Sequence, residues 1–203
     1  MLQFNVTSPK DKTLNYSVAL DETLAEAIKT GDDDAFQALM LRYMRHIYNF
    51  ARQYAKSDED AEDIVQDSFF KAWRHIKRFE KGKLFRPWLF TITRNTALDY
   101  VKKKRPFVFS ELDDASEELS FADTLHDPEP LPQELFDRAR LAGELDKIMG
   151  SLHPDHRAVL VMHYHQDMTF DEIADIMKKP MNTVKSWHRR ALMKLRALFS
   201  HQR

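Results

Sequence analysis

At 203 residues the chain exceeds one average domain and falls short of two large ones, so two small bodies joined by a linker are expected. It contains no cysteine, which excludes disulfides and thiolate metal sites; its first residues offer neither a charged leader nor a long apolar run, so a soluble, cytoplasmic protein with no membrane insertion is expected. The net charge of −1 would argue against a nucleic-acid partner if the charges were evenly spread, which they are not.

Only four glycines are present, and apolar residues recur at three-to-four spacing through most of the chain. That pattern predicts an all-α protein of two small helical domains. Residues 1–24 show no firm periodicity and are expected to form an extension, to which no function is assigned. After Asp32, Asp33 and Asp34, which suit a helix N-terminus, Phe36, Leu39, Met40, Tyr43, Ile47, Phe50 and Tyr54 trace one amphipathic helix. Ser57 and Asp60 have capping-box spacing, and Ala61, Ile64, Val65, Phe69, Ala72, Ile76 and Phe79 form the next apolar stripe. Gly82 interrupts it. Pro87 is then placed for a first helical position ahead of Trp88, Leu89, Ile92, Thr96 and Tyr100. These helices make a first domain over residues 25–106.

Residues 107–133 hold three prolines and many acids and read as a mostly extended linker. Helical spacing resumes at Leu135 and continues past Pro154, giving a second domain over residues 134–203. Charge follows the same divisions. Lys81 to Arg105 carries eight cations against Asp99 alone, Ser110 to Asp137 has ten acids and no Lys or Arg, and Lys178 to Arg203 has eight cations and no acid. Two basic zones flanking an acidic linker fit a polyanion partner.

The sharpest local signal runs from Thr169 to Ser186. Thr169 and Glu172 have capping-box spacing, Ile173, Ala174 and Ile176 give the packed face, and Pro180 closes a turn before Thr183 opens the next helix. This is helix-turn-helix spacing. On the second helix Val184, Ala191 and Leu195 can face inward, leaving Thr183, Lys185, Ser186, Arg189 and Arg190 available to a DNA major groove.

A helix-turn-helix alone does not separate one DNA-binding class from another, but the first domain does. The segment from Asp60 through Ala61, Glu62, Asp63, Ile64, Val65, Gln66 and Asp67 to Trp73 resembles the polymerase-binding helix of the extracytoplasmic-function (ECF) sigma factors of the sigma-70 family. Phe85 to Tyr100 is similar to the adjoining family segment that captures the melted minus-ten strand, and Leu152 to Leu195 to the domain that reads the minus-thirty-five element. The resemblance implies a non-enzymatic initiation factor that needs no cofactor or metal. Its partners would be core RNA polymerase, promoter DNA and an anti-sigma factor. It implies polymerase binding by Asp63, Gln66 and Asp67, minus-ten DNA contacts by Trp88, Arg94, Asn95 and Lys102, and minus-thirty-five contacts from the helix of Thr183 to Arg190. Trp88 could instead belong to the core.

Asn182 and Trp187 depart from the family pattern, which usually has Gly and Arg there, and His188 stands where an apolar residue is usual. Trp187 and His188 could have exchanged roles. By its charge, the acidic linker could occupy a basic polymerase channel until RNA displaces it. His153, His156, His163 and His165 straddle Pro154 without a shared face, and the acids of Asp58 to Asp67 scatter around their helix, so zinc binding and metal-dependent nuclease activity are both disfavoured. The stronger rival is a stand-alone operator-binding regulator. It would bind duplex DNA tightly without polymerase.

Overall fold

The computed structural model describes residues 15–104 and 149–200, and every regular element among them is helical. The acidic linker of 107–133 and the stripe from Leu135 to Ile148 lie outside the described residues.

The first domain begins earlier than the apolar periodicity suggests. Helix α1, Asp21–Lys29, buries Leu24, Ala25 and Ile28. It ends in a Schellman turn, in which the Gly31 amide donates to the Ile28 carbonyl at 2.9 Å and the Asp32 amide to that of Ala27 at 3.2 Å. Gly31 takes a φ of +94° there, which a side chain would resist. Asp32 then caps α2, Asp33–Ala51, by accepting from the Ala35 amide at 3.0 Å. The Arg42 side chain straps the preceding residues down. It donates to the Ala19 carbonyl at 3.0 Å and the Tyr16 carbonyl at 3.1 Å, and pairs with Asp21. Residues 15–24 are therefore part of the folded domain, although too short a stretch to show a period.

Helix α3, Asp58–His75, is capped by Ser57, whose hydroxyl accepts from the Asp60 amide at 3.1 Å. The Asp60 carboxylate turns away to the Tyr100 hydroxyl, at 2.9 Å, and to Lys104. Helix α4 spans Phe85–Lys104, two residues longer at its start than Pro87 implies. Glu22 of α1 accepts the Phe85 amide at 3.1 Å, satisfying from another helix one of the backbone donors at the start of α4.

Most helices bury one stripe, but α4 buries a wide arc that includes Phe85, Leu89, Phe90, Thr93, Arg94, Thr96 and Ala97. Such a helix must be covered from more than one side. Helices α2 and α3 cover one side, and the second domain the other.

That domain opens with α5, Pro154–Leu160, where Pro154 occupies the first turn and His153 Nδ1 accepts from the Asp155 amide at 3.2 Å. A π-helical turn follows at Val161–His165. Helix α6, Phe170–Met177, has both halves of its capping box: the Thr169 amide donates to Glu172 Oε2 at 2.8 Å, and the Glu172 amide to Thr169 Oγ1 at 3.3 Å. Lys178 adopts a left-handed φ of +51° and stops the helix, and α7, Met181–Ser200, begins beyond Pro180. Val184, Ala191 and Leu195 are fully buried, as the spacing predicts. No described helix is long and apolar enough to cross a membrane.

Candidate functional site

Three surfaces carry the residues singled out in the sequence. On α3 the buried set Ala61, Ile64, Val65, Phe69 and Ala72 fixes the helix's rotation, and Asp63, Gln66 and Asp67 are all left exposed. The same face continues into Phe70, 56% exposed, and Trp73, 48% exposed, with ring centroids 6.4 Å apart. Large exposed aromatics are uncommon on a monomer's surface and mark contact sites when grouped. Sequence reasoning had used Trp73 only as part of the motif. The three-to-four spacing of Asp63, Gln66, Phe70 and Trp73 was the available signal.

Asp60 opens this motif but is not part of its outer face. Hydrogen bonds from Lys104 and Tyr100 hold its carboxyl below the ordinary carboxylate range. It anchors the C-terminal turn of α4, whose three terminal lysines also suit the negative end of the helix dipole.

The second surface lies on α4. Trp88 is half-buried and packs on Phe79 at 5.4 Å and Phe85 at 5.6 Å between centroids, so much of its ring completes the core. Asn95 is half-buried and Lys102 is exposed. Arg94 is only 8% exposed, its Nη2 3.8 Å from Asp155 Oδ1 of the second domain and its Nε buried without a hydrogen-bond partner. The structure therefore separates the four predicted strand-binding residues into a rim aromatic, a partly accessible amide, a covered arginine and an open lysine. Lys102, Lys103, Lys71, Thr96, Asp99, Tyr100 and Asp67 line one cleft of about 270 Å³ between α3 and α4. It brings Asp67 and Lys102 to the same edge of the domain.

The third surface is the outer side of α7. Lys185 is exposed, its ammonium 5.9 Å from the centre of the Phe170 ring, and Thr183, Ser186, Arg189 and Arg190 are half-buried along the same helix. Trp187 turns inward, 6% exposed, and lies 5.8 Å from the His156 ring. His188 sits among His163, Tyr164 and Phe170 with ring separations of 5.2 to 5.6 Å, and its Nε2 is 3.1 Å from the Tyr164 hydroxyl. Trp187 thus serves as core, and His188 fills the usual apolar position with a ring-packed imidazole. Burial, with help from His153 and the cations Arg190 and Lys194, pushes His156 down to about 4. Among the described residues no group of three or more His, Asp, Glu or Cys is placed to hold a metal ion.

Comparison with known proteins agrees with this division. The family model for sigma-70 region 2 matches residues 39–107, and that for sigma-70 region 4 matches residues 148–197. The ECF RNA polymerase sigma-E factor of Haemophilus influenzae is 30% identical over 172 residues, covering 82% of this chain and 88% of the relative. The chain is an ECF sigma factor of the sigma-70 family. The RNA polymerase sigma factor NccH of Alcaligenes xylosoxydans xylosoxydans is 33% identical, covering 89% of this sigma factor and 95% of the relative. Among solved structures, that of CnrH with the cytosolic domain of CnrY matches at 25% identity and a TM-score of 0.64, over 90% of this chain and 99% of the other. The sigma factor RpoE of Bartonella quintana, solved with the anti-sigma factor NepR, matches at 26% and 0.59, over 83% and 98%. As a sigma factor this protein is an initiation factor rather than an enzyme: it binds core RNA polymerase and directs it to promoters.

Proposed function

We propose that the three surfaces divide the work of initiation among themselves. The exposed stripe of Asp63, Gln66, Asp67, Phe70 and Trp73 docks on core polymerase, with carboxylates meeting cations at the rim and the aromatics supplying buried apolar contact. Helix α7 reads the minus-thirty-five element as duplex through Thr183, Lys185, Ser186, Arg189 and Arg190. Lysine and arginine there take phosphates or the edges of guanine, and the hydroxyls take either kind of contact. Trp88, Arg94, Asn95 and Lys102 hold the unpaired minus-ten strand, where an exposed part of the indole can stack and the asparagine amide can pair with a base edge. Holding the open strand more tightly than the closed duplex shifts the equilibrium toward the open promoter.

The acidic linker is assigned to a basic channel of the polymerase on its charge alone. The protein works in the cytoplasm, with the polymerase, and an anti-sigma factor is its regulator. Support for the regulator comes from RpoE of Bartonella quintana, which was solved with one.

The observation that carries this reading is the exposed acidic and aromatic face of α3 beside a helix-turn-helix whose basic face also looks outward. The decisive experiment titrates the full chain against core polymerase and assays promoter-specific transcription, with duplex binding by the isolated chain in parallel. Polymerase binding and promoter-dependent transcripts are expected. Tight duplex binding without any affinity for polymerase would replace this reading with that of a stand-alone regulator.

A further inference from the structure

Helix α1 carries none of the residues assigned a role above, yet it holds both ends of the loop that leads into α4. That loop runs from Glu80 to Leu84, five exposed residues between the buried side chains of Phe79 and Phe85. At its start, the Lys29 ammonium donates to the Phe79 carbonyl and stands 5.3 Å from the centre of the Phe79 ring. Glu26 accepts from the same ammonium at 2.8 Å and steadies it there. At its end, Glu22 accepts the Phe85 amide at 3.1 Å. A cation thus meets a carbonyl and a carboxylate meets an amide, and such charge-assisted bonds are roughly twice as strong as neutral ones. Within the loop, Gly82 takes a φ of +86° and the Lys83 amide donates to the Glu80 carbonyl at 3.2 Å, a turn that draws the two ends together.

The two residues held in this way are the ones on which Trp88 rests. Its ring centroid lies 5.4 Å from that of Phe79 and 5.6 Å from that of Phe85, and the two phenylalanines meet edge-on at 5.8 Å. Helix α1 also reaches this shelf from a third direction. The Tyr43 ring packs on Phe85 at 5.8 Å, and its hydroxyl donates to Asp21. The loop itself gives the shelf no hold, because a run of exposed residues opens locally at little cost.

We infer that α1 is a brace for strand capture: Lys29 and Glu22 are positioning residues that fix the shelf of Phe79 and Phe85 and so set the tilt of Trp88 before DNA arrives. They act through Trp88 and not on the strand itself. A ring already held in place loses little freedom on stacking, which is how the brace raises affinity for unpaired minus-ten bases. This inference rests on the proposed stacking role of Trp88.

The test uses the full chain assembled with core polymerase. Its probe is a promoter that this holoenzyme transcribes, made as a fork with the minus-ten non-template strand left unpaired. Lys29→Met removes the donor and retains the stem, and Glu22→Ala removes the acceptor. Each should weaken fork binding about fivefold, the scale of one side chain left to be ordered on contact, while polymerase affinity stays within about twofold of wild type. Glu22→Gln keeps an oxygen for the Phe85 amide and should restore nearly all of the binding. Trp88→Ala should weaken the fork complex about tenfold or more. Adding Lys29→Met to Trp88→Ala should then cost nothing further, because a positioning residue has no effect once the group it positions is gone. Two independent variants guard against a folding defect in either, which circular dichroism checks. Normal fork binding by folded Lys29→Met and Glu22→Ala, beside weak binding by Trp88→Ala, would overturn the brace alone. An undiminished loss from Lys29→Met in the Trp88→Ala background would reduce these contacts to general support of the fold and overturn it as well. Fork binding by Trp88→Ala equal to that of wild type would overturn the stacking role of Trp88, and the brace with it.

Discussion

Helices α3 and α4 pack against each other in one small domain, yet their outer faces are in opposite states. The outer face of α3 is open from Asp63 to Trp73, whereas α4 is covered so that Phe90 and Thr93 have no exposure and Arg94 almost none. Helix α3 buries one stripe and leaves acids with two aromatics outside, whereas α4 buries a wide arc that takes in Thr93, Arg94 and Thr96 as well as its apolar residues. The proposed docking face on α3 is thus open as it stands, while Arg94, proposed to meet the minus-ten strand, is covered.

The largest effect should come from a matched pair of phenylalanines. Phe90 is fully buried with its ring edge-on to Phe50 at 5.2 Å, so Phe90→Ala leaves a cavity and should cost about 3–5 kcal/mol of stability in urea denaturation. Phe70→Ala should change stability by less than about 0.5 kcal/mol, since its ring lies largely in water. Its cost should appear in the polymerase titration, at about 1–2 kcal/mol. Equal stability losses in the two variants would erase the distinction between the covered and the open helix.

Charge reversal sharpens the open side of the comparison. Asp63→Lys combined with Asp67→Lys should weaken polymerase binding by about 2 kcal/mol or more, roughly thirtyfold, because the new lysines would face the cations that the acids had met. Asp63 also accepts the Tyr100 hydroxyl at 3.1 Å, so circular dichroism must show that α3 and α4 remain folded. Unchanged affinity in a folded double variant would move the docking site elsewhere.

Much of this asymmetry was legible in the sequence, and the missing parts share one cause. The inward stripe of α3 and the helix-turn-helix core follow from short-range spacing, and Asp63, Gln66 and Asp67 emerge as exposed from the same count. Phe90 does not, because it lies off the stripe through Leu89, Ile92 and Thr96, and its ring packs edge-on against Phe50 of α2, 40 residues earlier in the chain. The covered state of Arg94 likewise depends on Asp155, which no local pattern can announce. Helix α1 was missed for a different reason. It has nine residues, Leu20 at its N-cap makes no side-chain capping bond, and its stability comes from tertiary burial of Leu24, Ala25 and Ile28. Trp187 and His188 could not be assigned from composition, since both are amphipathic rings and only packing decides which one turns inward.

Acidification should loosen the second domain. His156 is neutral when folded, with its pKa pushed down by burial to about 4, against about 6.5 for an unperturbed histidine. The unfolded state therefore binds a proton that the folded state refuses as pH falls from about 6.5 toward 4, and stability is lost across that window. Solvent reaches part of the ring, so we expect a loss of about 1 kcal/mol between pH 7 and pH 5 rather than the full shift. Urea midpoints at the two pH values would measure it, and His156→Leu should flatten the difference. A wild type more stable at the lower pH would exclude this assignment.

The smallest substitution effect asks whether the two domains behave as one body. Thr169→Ala removes the hydroxyl that caps α6 and breaks the reciprocal bond with Glu172, a loss of about 1 kcal/mol. The Thr169 side chain is exposed and its hydrogen bonds are to Glu172 of the same domain, so the variant removes no bond between the domains. The consequence depends on cooperativity. If the apolar core shared by Phe90 and Ile173 holds both domains together during melting, calorimetry shows one transition, and 1 kcal/mol spread over about 150 residues lowers Tm by only about 2–4 °C. If the second domain melts by itself, its smaller unfolding entropy turns the same loss into about 4–8 °C, and the transition of the first domain does not move. We expect the single transition and the smaller shift. Two transitions in the free wild type, of which only one responds to Thr169→Ala, would mean that α4 is covered by a neighbour too loosely held to hide Arg94, and the contrast between the two helices would then be one of average exposure rather than of state.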